Sequence, residues 1–246
     1  GMWITYAAIY FICTKVFKKT PQDAAVLTLT VALPNYAALG LPILGSVLGE
    51  SSATSLSVAV AIACGSVLMT PFCLLILERE KARESGAIQG STLTMLPVLM
   101  WRSVKKPIVW GPLLGVVLSA IGIHMPEMVL ASIKPLGLSA TASALFLTGV
   151  ILSARKLKIN TCVVLSSVTK LLIQPFIAWG IVLAMGLHGD VAVTAILMIA
   201  LSAGFFGIVF GNRFGVQSPD AEATLLISSV LCIITLPLFI TLTAGI

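Results

Sequence analysis

Apolar positions do not alternate along this chain; they run on, with charge confined to short gaps between the runs. A membrane-spanning helix needs about 20 mostly apolar residues, and eight segments approach that length. They cover 2–16, 24–48, 54–77, 107–123, 136–153, 161–187, 191–211 and 221–244. The fold class this pattern predicts is an all-α polytopic membrane protein with eight transmembrane helices. The first segment opens at once on Met2-Trp3-Ile4 with no basic lead, which excludes a signal peptide and reads as a helix that begins before Gly1. The gaps are brief except for 78–106, which starts on Glu78-Arg79-Glu80-Lys81-Ala82-Arg83-Glu84. Its later part, Leu93 to Trp101, is apolar enough to lie along a membrane surface.

Composition narrows the class further. Of 246 residues 58% are apolar and 10% charged, against about 45–50% and about 25% in soluble domains, and the mean hydropathy is +1.09. A soluble enzyme and a disulfide scaffold are excluded. The net charge of +6 does not indicate nucleic acid, because the basic residues flank apolar runs, where they set topology. Of the 15 Lys and Arg, 13 belong to the face that holds the gaps after segments one, three, five and seven, Lys15 at the very end of segment one among them. The positive-inside bias makes that face cytoplasmic and puts both termini outside. The five cysteines lie inside apolar runs, and His124 and His188 lack the neighbours of a metal site, so no metal and no cofactor is expected.

The chain also repeats. Gly45-Ser46-Val47-Leu48-Gly49 closes segment two, and Gly211-Asn212-Arg213-Phe214-Gly215 closes segment seven at an offset of 166, which also carries Pro71 onto Pro237. Five segments separate the partners, so the copies point in opposite directions, as in many secondary transporters.

Segment two is interrupted near its middle by Pro34-Asn35-Tyr36-Ala37-Ala38-Leu39-Gly40-Leu41-Pro42. Two prolines eight residues apart preclude an unbroken helix. Segment seven carries Ser202-Ala203-Gly204-Phe205-Phe206-Gly207 at the corresponding place. Unwound backbone at that depth survives only where protein or a water-filled cavity satisfies it. Paired breaks in inverted halves predict a solute site between crossing half-helices; the competing reading is plain proline kinks and close-packing glycines. Lys170 is the one ionisable residue well inside a segment, about 13 Å from the predicted cytoplasmic end, with Gln174-Pro175 one turn on. It either serves the transport pathway or snorkels and ties down a helix end. No Asp or Glu lies deep in a segment, which argues against a carboxylate proton relay. The candidate substrate-binding residues are Asn35, Tyr36, Gly40, Lys170, Gln174, Ser202, Gly204 and Gly207. Hydroxyl residues within segments, Thr28, Thr30 and Ser228 among them, are expected to pack helices.

Ala32-Leu33-Pro34-Asn35-Tyr36-Ala37-Ala38-Leu39-Gly40-Leu41-Pro42 resembles the crossover of the auxin efflux carrier family. So do Lys170-Leu171-Leu172-Ile173-Gln174-Pro175 and the stretch from Phe210-Gly211-Asn212-Arg213-Phe214-Gly215 to Thr235-Leu236-Pro237. Within that family the chain most resembles bacterial malonate transporters. The resemblance implies ten helices in a 5+5 inverted repeat, with the fourth and ninth broken and crossing. Segments two and seven are then those two helices, and the family's first two helices are absent from this chain. On that reading 1–77 is an incomplete first repeat, 78–106 a cytoplasmic loop and 107–246 the second repeat. The expected function is secondary transport of a small organic anion, malonate first, across the bacterial inner membrane by alternating access. The alternatives are a carrier for another carboxylate or auxin-like solute, or a truncated, non-transporting membrane protein. An intramembrane enzyme finds no nucleophile–base pair to support it. Expected partners are the anion and the lipid bilayer, with no nucleic acid and a possible homodimer in the complete carrier. The coupling ion, proton or sodium, stays open.

Overall fold

The computed structural model of the protein describes residues 1–49, 52–85, 125–153 and 158–245, with isolated positions between 101 and 123. Among these residues the chain is helical throughout, with no strand longer than a single bridge. Most of segment 107–123, residues 93–100, and Arg102, Lys105, Lys106, Arg155 and Lys156 lie outside the described residues.

Helix α1 covers Met2–Phe11 and continues through a π turn, Ile12–Val16. Segment two divides as predicted. Its first half, α2, covers Pro21–Ala32; its second half is a π turn, Tyr36–Gly40, leading into α3, Leu41–Leu48. Helix α4 spans Ser52–Glu84 and α5 Glu127–Ser153. Segment six is one continuous run made of α6 (Thr161–Val168), a π turn (Thr169–Ile173) and α7 (Gln174–Ala184). Segment seven also divides, into α8 (Gly189–Ala200) and α9 (Phe206–Arg213), and α10 covers Pro219–Thr243.

Three helix starts follow from their first residues. Thr20 accepts from the Asp23 N–H at 3.3 Å with Pro21 at the first helical position of α2. Asn160 accepts from the Val163 N–H at 2.9 Å to open α6. Ser218 accepts from the Ala221 N–H at 3.4 Å, again with a proline, Pro219, behind it. Each side chain satisfies one of the orphan donors of a helix N-terminus, and proline costs nothing at the first position because its missing N–H is an orphan anyway. The π turns before Pro42 and Pro175 have a related cause. A proline ring collides with the carbonyl four residues earlier, and a wider turn there relieves the collision without ending the helix.

Two boundaries differ from the sequence reading. The charged stretch assigned to the 78–106 loop is helical through Glu84; Glu, Lys, Arg and Ala favour helix, and Arg83 pairs with Glu80 one turn back at 3.3 Å. Segment five begins at Glu127 rather than 136 and keeps Pro135 inside α5, because Pro126 sets the start one residue ahead of it.

Thr161–Ala184 and Pro219–Thr243 are each long and apolar enough to cross a membrane whole, while Met2–Val16 and Gly189–Ala200 are shorter apolar runs. The core lies where the broken segments meet the long helices. Val26, Leu27, Leu29, Val31 and Ala32 of α2 are wholly buried, as are Ile196, Leu197 and Ala200 of α8. By contrast Phe146, Ile233 and Ile234 are over 70% exposed, as expected of side chains that meet lipid rather than water.

Candidate functional site

The two breaks lie against each other. Leu33 leaves the helical region with φ −96° and ψ 108°, and the chain stays extended just long enough for Pro34 to form an antiparallel bridge with Ala203. The Asn35 N–H donates to the Ser202 carbonyl at 3.0 Å and the Gly204 N–H to the Thr30 carbonyl at 3.0 Å. Ala203 donates its N–H to Ser228 Oγ on α10 at 3.1 Å. Peptide groups released by one break are thus taken up by the other, which is what irregular backbone in an apolar interior demands.

Glycine makes the close approach possible. A Cβ at Gly204 would collide with the Leu33 carbonyl, and one at Gly207 with Thr30 Oγ1 and the Val26 carbonyl. At Gly211 it would come 2.9 Å from the Val216 carbonyl and 3.0 Å from Val26 Cγ2. Gly207 and Gly211 are four residues apart, so they share one face of α9, and that face lies on α2. This is the small-residue packing of membrane helices. Gly204 and Gly207 therefore enter the site by letting the segments cross.

Lys170 and Gln174 join the two cut ends. Both side chains are wholly buried. Lys170 Nζ donates to Gln174 Oε1 at 2.7 Å and to the Ile199 carbonyl at 3.1 Å. Gln174 Nε2 donates to the Ala32 carbonyl at 2.8 Å. Ala32 is the last residue of α2, and Ile199 lies in the last turn of α8, so the pair serves carbonyls that the helix ends leave without intrahelical partners.

The remaining candidates lie along the same seam. Asn35 is buried and its Oδ1 has no hydrogen-bond partner among the described residues; the same holds for Ser202 Oγ and Thr30 Oγ1. Tyr36 is buried with its hydroxyl 2.9 Å from Met2 Sδ. Gly40 is buried at the end of its π turn. Beside Tyr36 opens a cavity of about 530 Å³, largely apolar, bordered by Met2, Ala178, Thr194, Met198 and Ile199. Sequence reasoning missed the parts played by Ser228 and by the Ala32 and Ile199 carbonyls. A serine in an apolar segment was a signal for the first; the backbone acceptors left none.

A second polar group ties the bundle at the end that carries Lys19. Lys19 Nζ lies 2.7 Å from both Asp23 Oδ2 and Asp220 Oδ2. Asn160 Nδ2 donates to Asp220 Oδ1 at 2.8 Å, and the Ser218 hydroxyl donates to Asp23. Nearby Gln22 Nε2 donates to Glu84 Oε1 at 2.8 Å. Burial alone would lower the Lys19 pKa, but the hydrogen bonds and charges of Asp220 and Asp23 outweigh it and hold the ammonium above its ordinary value.

Apolar helices, two of them broken and paired at their breaks, are an arrangement shared with many membrane transporters. The membrane transport protein family profile matches residues 1–240, and the chain belongs to that family, the auxin efflux carrier family its motifs resemble. The protein is therefore embedded in a membrane and its family is one of transporters rather than enzymes. It is 28% identical over 231 residues to the uncharacterized transporter YfdV of Escherichia coli K12, covering 94% of this chain and 72% of that one. The YfdV proteins of Escherichia coli O157:H7 and Shigella flexneri match to the same extent.

Proposed function

We propose that the protein is a secondary transporter that moves a small organic anion, malonate first, by alternating access around the crossing. The observation that carries the reading is the mutual pairing of the two breaks, Asn35 N–H on Ser202 and Gly204 N–H on Thr30. At such a crossing the second half-helices start from the centre. The π turn leading into α3 and the first turn of α9 then present the positive end of their dipoles to a carboxylate. On this reading Asn35 contributes its side-chain amide, Tyr36 and Gly40 line the approach, and Ser202 offers a hydroxyl. Lys170 acts from behind, setting the local field without needing to touch the solute.

The orientation follows the basic gaps: the face with Lys19 and Arg213 is cytoplasmic, the membrane is a bacterial inner membrane, and both termini of this chain lie outside. The oppositely directed halves, with Gly49 and Gly215 both at positive φ at matching ends, are read as an inverted repeat.

One observation favours a second solute class. The cavity beside Tyr36 is largely apolar, which suits a carboxylate with an apolar body better than a bare dicarboxylate. Uptake of labelled malonate and of a labelled arylacetate into proteoliposomes, each competed by a short dicarboxylate and by an unlabelled arylacetate, tests both. Competition by the dicarboxylate alone supports malonate, and competition by the arylacetate alone moves the assignment to the second class. No uptake of any labelled carboxylate against empty vesicles removes the transport reading.

A further inference from the structure

The breaks leave two helix C-termini facing one another in an apolar interior. Each is the negative end of a helix dipole, and two such ends side by side repel unless positive charge lies between them. In transporters with discontinuous helices that charge is commonly a sodium ion or a proton, held by unwound carbonyls and half-helix C-termini. Here the position is filled from within the chain. Lys170 Nζ bonds the Ile199 carbonyl of α8 and, through Gln174, reaches the Ala32 carbonyl of α2. These acceptors are neutral oxygens of the kind a small monovalent cation takes in place of its hydration shell. Among the described residues no acidic side chain pairs with Lys170, whose acceptors are an amide oxygen and a carbonyl, so the ammonium is matched to dipoles, as a metal ion in such a place is.

We propose that the Lys170 ammonium is a tethered cation occupying a monovalent-cation site at the crossing, so that the protein needs no sodium there. Cutting the side chain back then opens the site to a small free cation on the same oxygens. The inference deepens the transport reading, on which it rests only for its consequence that the coupling ion is not bound at this place.

Thermal melting of the purified protein in sodium, potassium or choline chloride, each at about 0.15 M to hold screening constant, tests it. Wild type is expected to melt at one temperature in all three salts. Lys170→Ala is expected to melt several degrees lower in choline and to regain part of the loss in sodium. Lys170→Met, which fills the space with a thioether, is expected to stay low in every salt. A wild-type melting point raised by sodium over choline would overturn the proposal, as would a Lys170→Ala protein that melts equally in all three. A sodium response in Lys170→Met would place the cation elsewhere and overturn it too. If Lys170→Ala does not fold in choline, purification in sodium decides: recovery of folded protein supports the proposal, and failure of both Lys170→Ala and Lys170→Ser in sodium overturns it. The readout involves no solute, so its failure and a failure of malonate uptake are separate results.

Discussion

Lys170 donates to Gln174 across 2.7 Å, and that single contact links the ends of two helices that are remote in sequence. One turn of separation along segment six brings the two side chains together, and the π turn around Lys170 aims them at the crossing. Their outward bonds go to Ile199 and Ala32. Neither residue works alone: removing the amide strands both the ammonium and a carbonyl.

Gln174→Leu should therefore be more disruptive than its modest change in volume suggests. It leaves the Ala32 carbonyl and one Lys170 N–H unsatisfied in an apolar interior, at about 1–3 kcal/mol per neutral group and more for a charged one. Detergent-melting curves should show a clear fall for Gln174→Leu and a smaller one for Gln174→Glu, which keeps an acceptor for Lys170. Wild-type melting for Gln174→Leu would refute the strut.

Asn35→Ala tests the other side of the seam. The bond from Asn35 to Ser202 is made by the backbone N–H, which alanine retains. Protein levels in the membrane should match wild type while malonate uptake falls at least about tenfold, the loss of about 1.4 kcal/mol. Unchanged uptake kinetics would leave the amide with no part in transport.

Gly207→Ala should destabilise the crossing by about 1–3 kcal/mol, the usual cost of overpacking, because the added methyl meets Thr30 and the Val26 carbonyl. Gly180→Ala is the matched control: a Cβ there meets nothing within 4 Å. Equal melting temperatures for the two variants would contradict the packing described at α9.

The Lys19 cluster predicts a pH window. Its folded pKa lies above the unfolded value, so its contribution to stability is fully present below about 10.4 and is lost as pH rises through the folded value. Wild type should accordingly lose stability above about pH 10 more steeply than Lys19→Met, whose curve should be lower at neutral pH and flatter in alkali. Parallel curves through that range would show that the ion pairs carry no net stabilisation.

Orientation is checked by cysteine labelling. In a Cys-free background, a cysteine at position 156 should react with an impermeant maleimide only after the cytoplasmic face is opened, if the positive-inside bias turns the basic gaps inward as proposed. Labelling from outside in intact cells would reverse the topology.

Much of this was legible in the sequence, for reasons specific to each residue. Pro34 and Pro42 announced the break in segment two because proline has a fixed φ and no N–H. The break in segment seven contains no proline; only Ser202, Gly204 and Gly207 marked it, and the need for those glycines becomes plain only against Val26, Thr30 and Leu33 of the other segment. Lys170 stood out as a lone charge in an apolar run, and Gln174 followed at helical spacing. Its acceptor on α8 did not, since every residue carries a carbonyl and only tertiary placement singles out Ile199. Ser228 reads in the sequence as a helix-packing residue; it donates to the Leu225 carbonyl of its own helix at 3.0 Å, and its acceptance from the Ala203 N–H depends on tertiary placement that the sequence does not display. The extension of α4 to Glu84 was missed because charge suggested a loop, whereas those residues favour helix once a span precedes them.

The seam between Pro34 and Ala203 has a mechanical consequence. A joint fastened by reciprocal backbone bonds, by glycines pressed onto the opposing helix and by a buried strut has no hinge of its own. Bending α2 relative to α9 would break several of these fastenings at once, in surroundings that offer no water to replace them. On the transport reading proposed above, a solute seated at the joint would be carried by translation of the whole joint past helices that are not pinned to it, with the sliding surface at its perimeter.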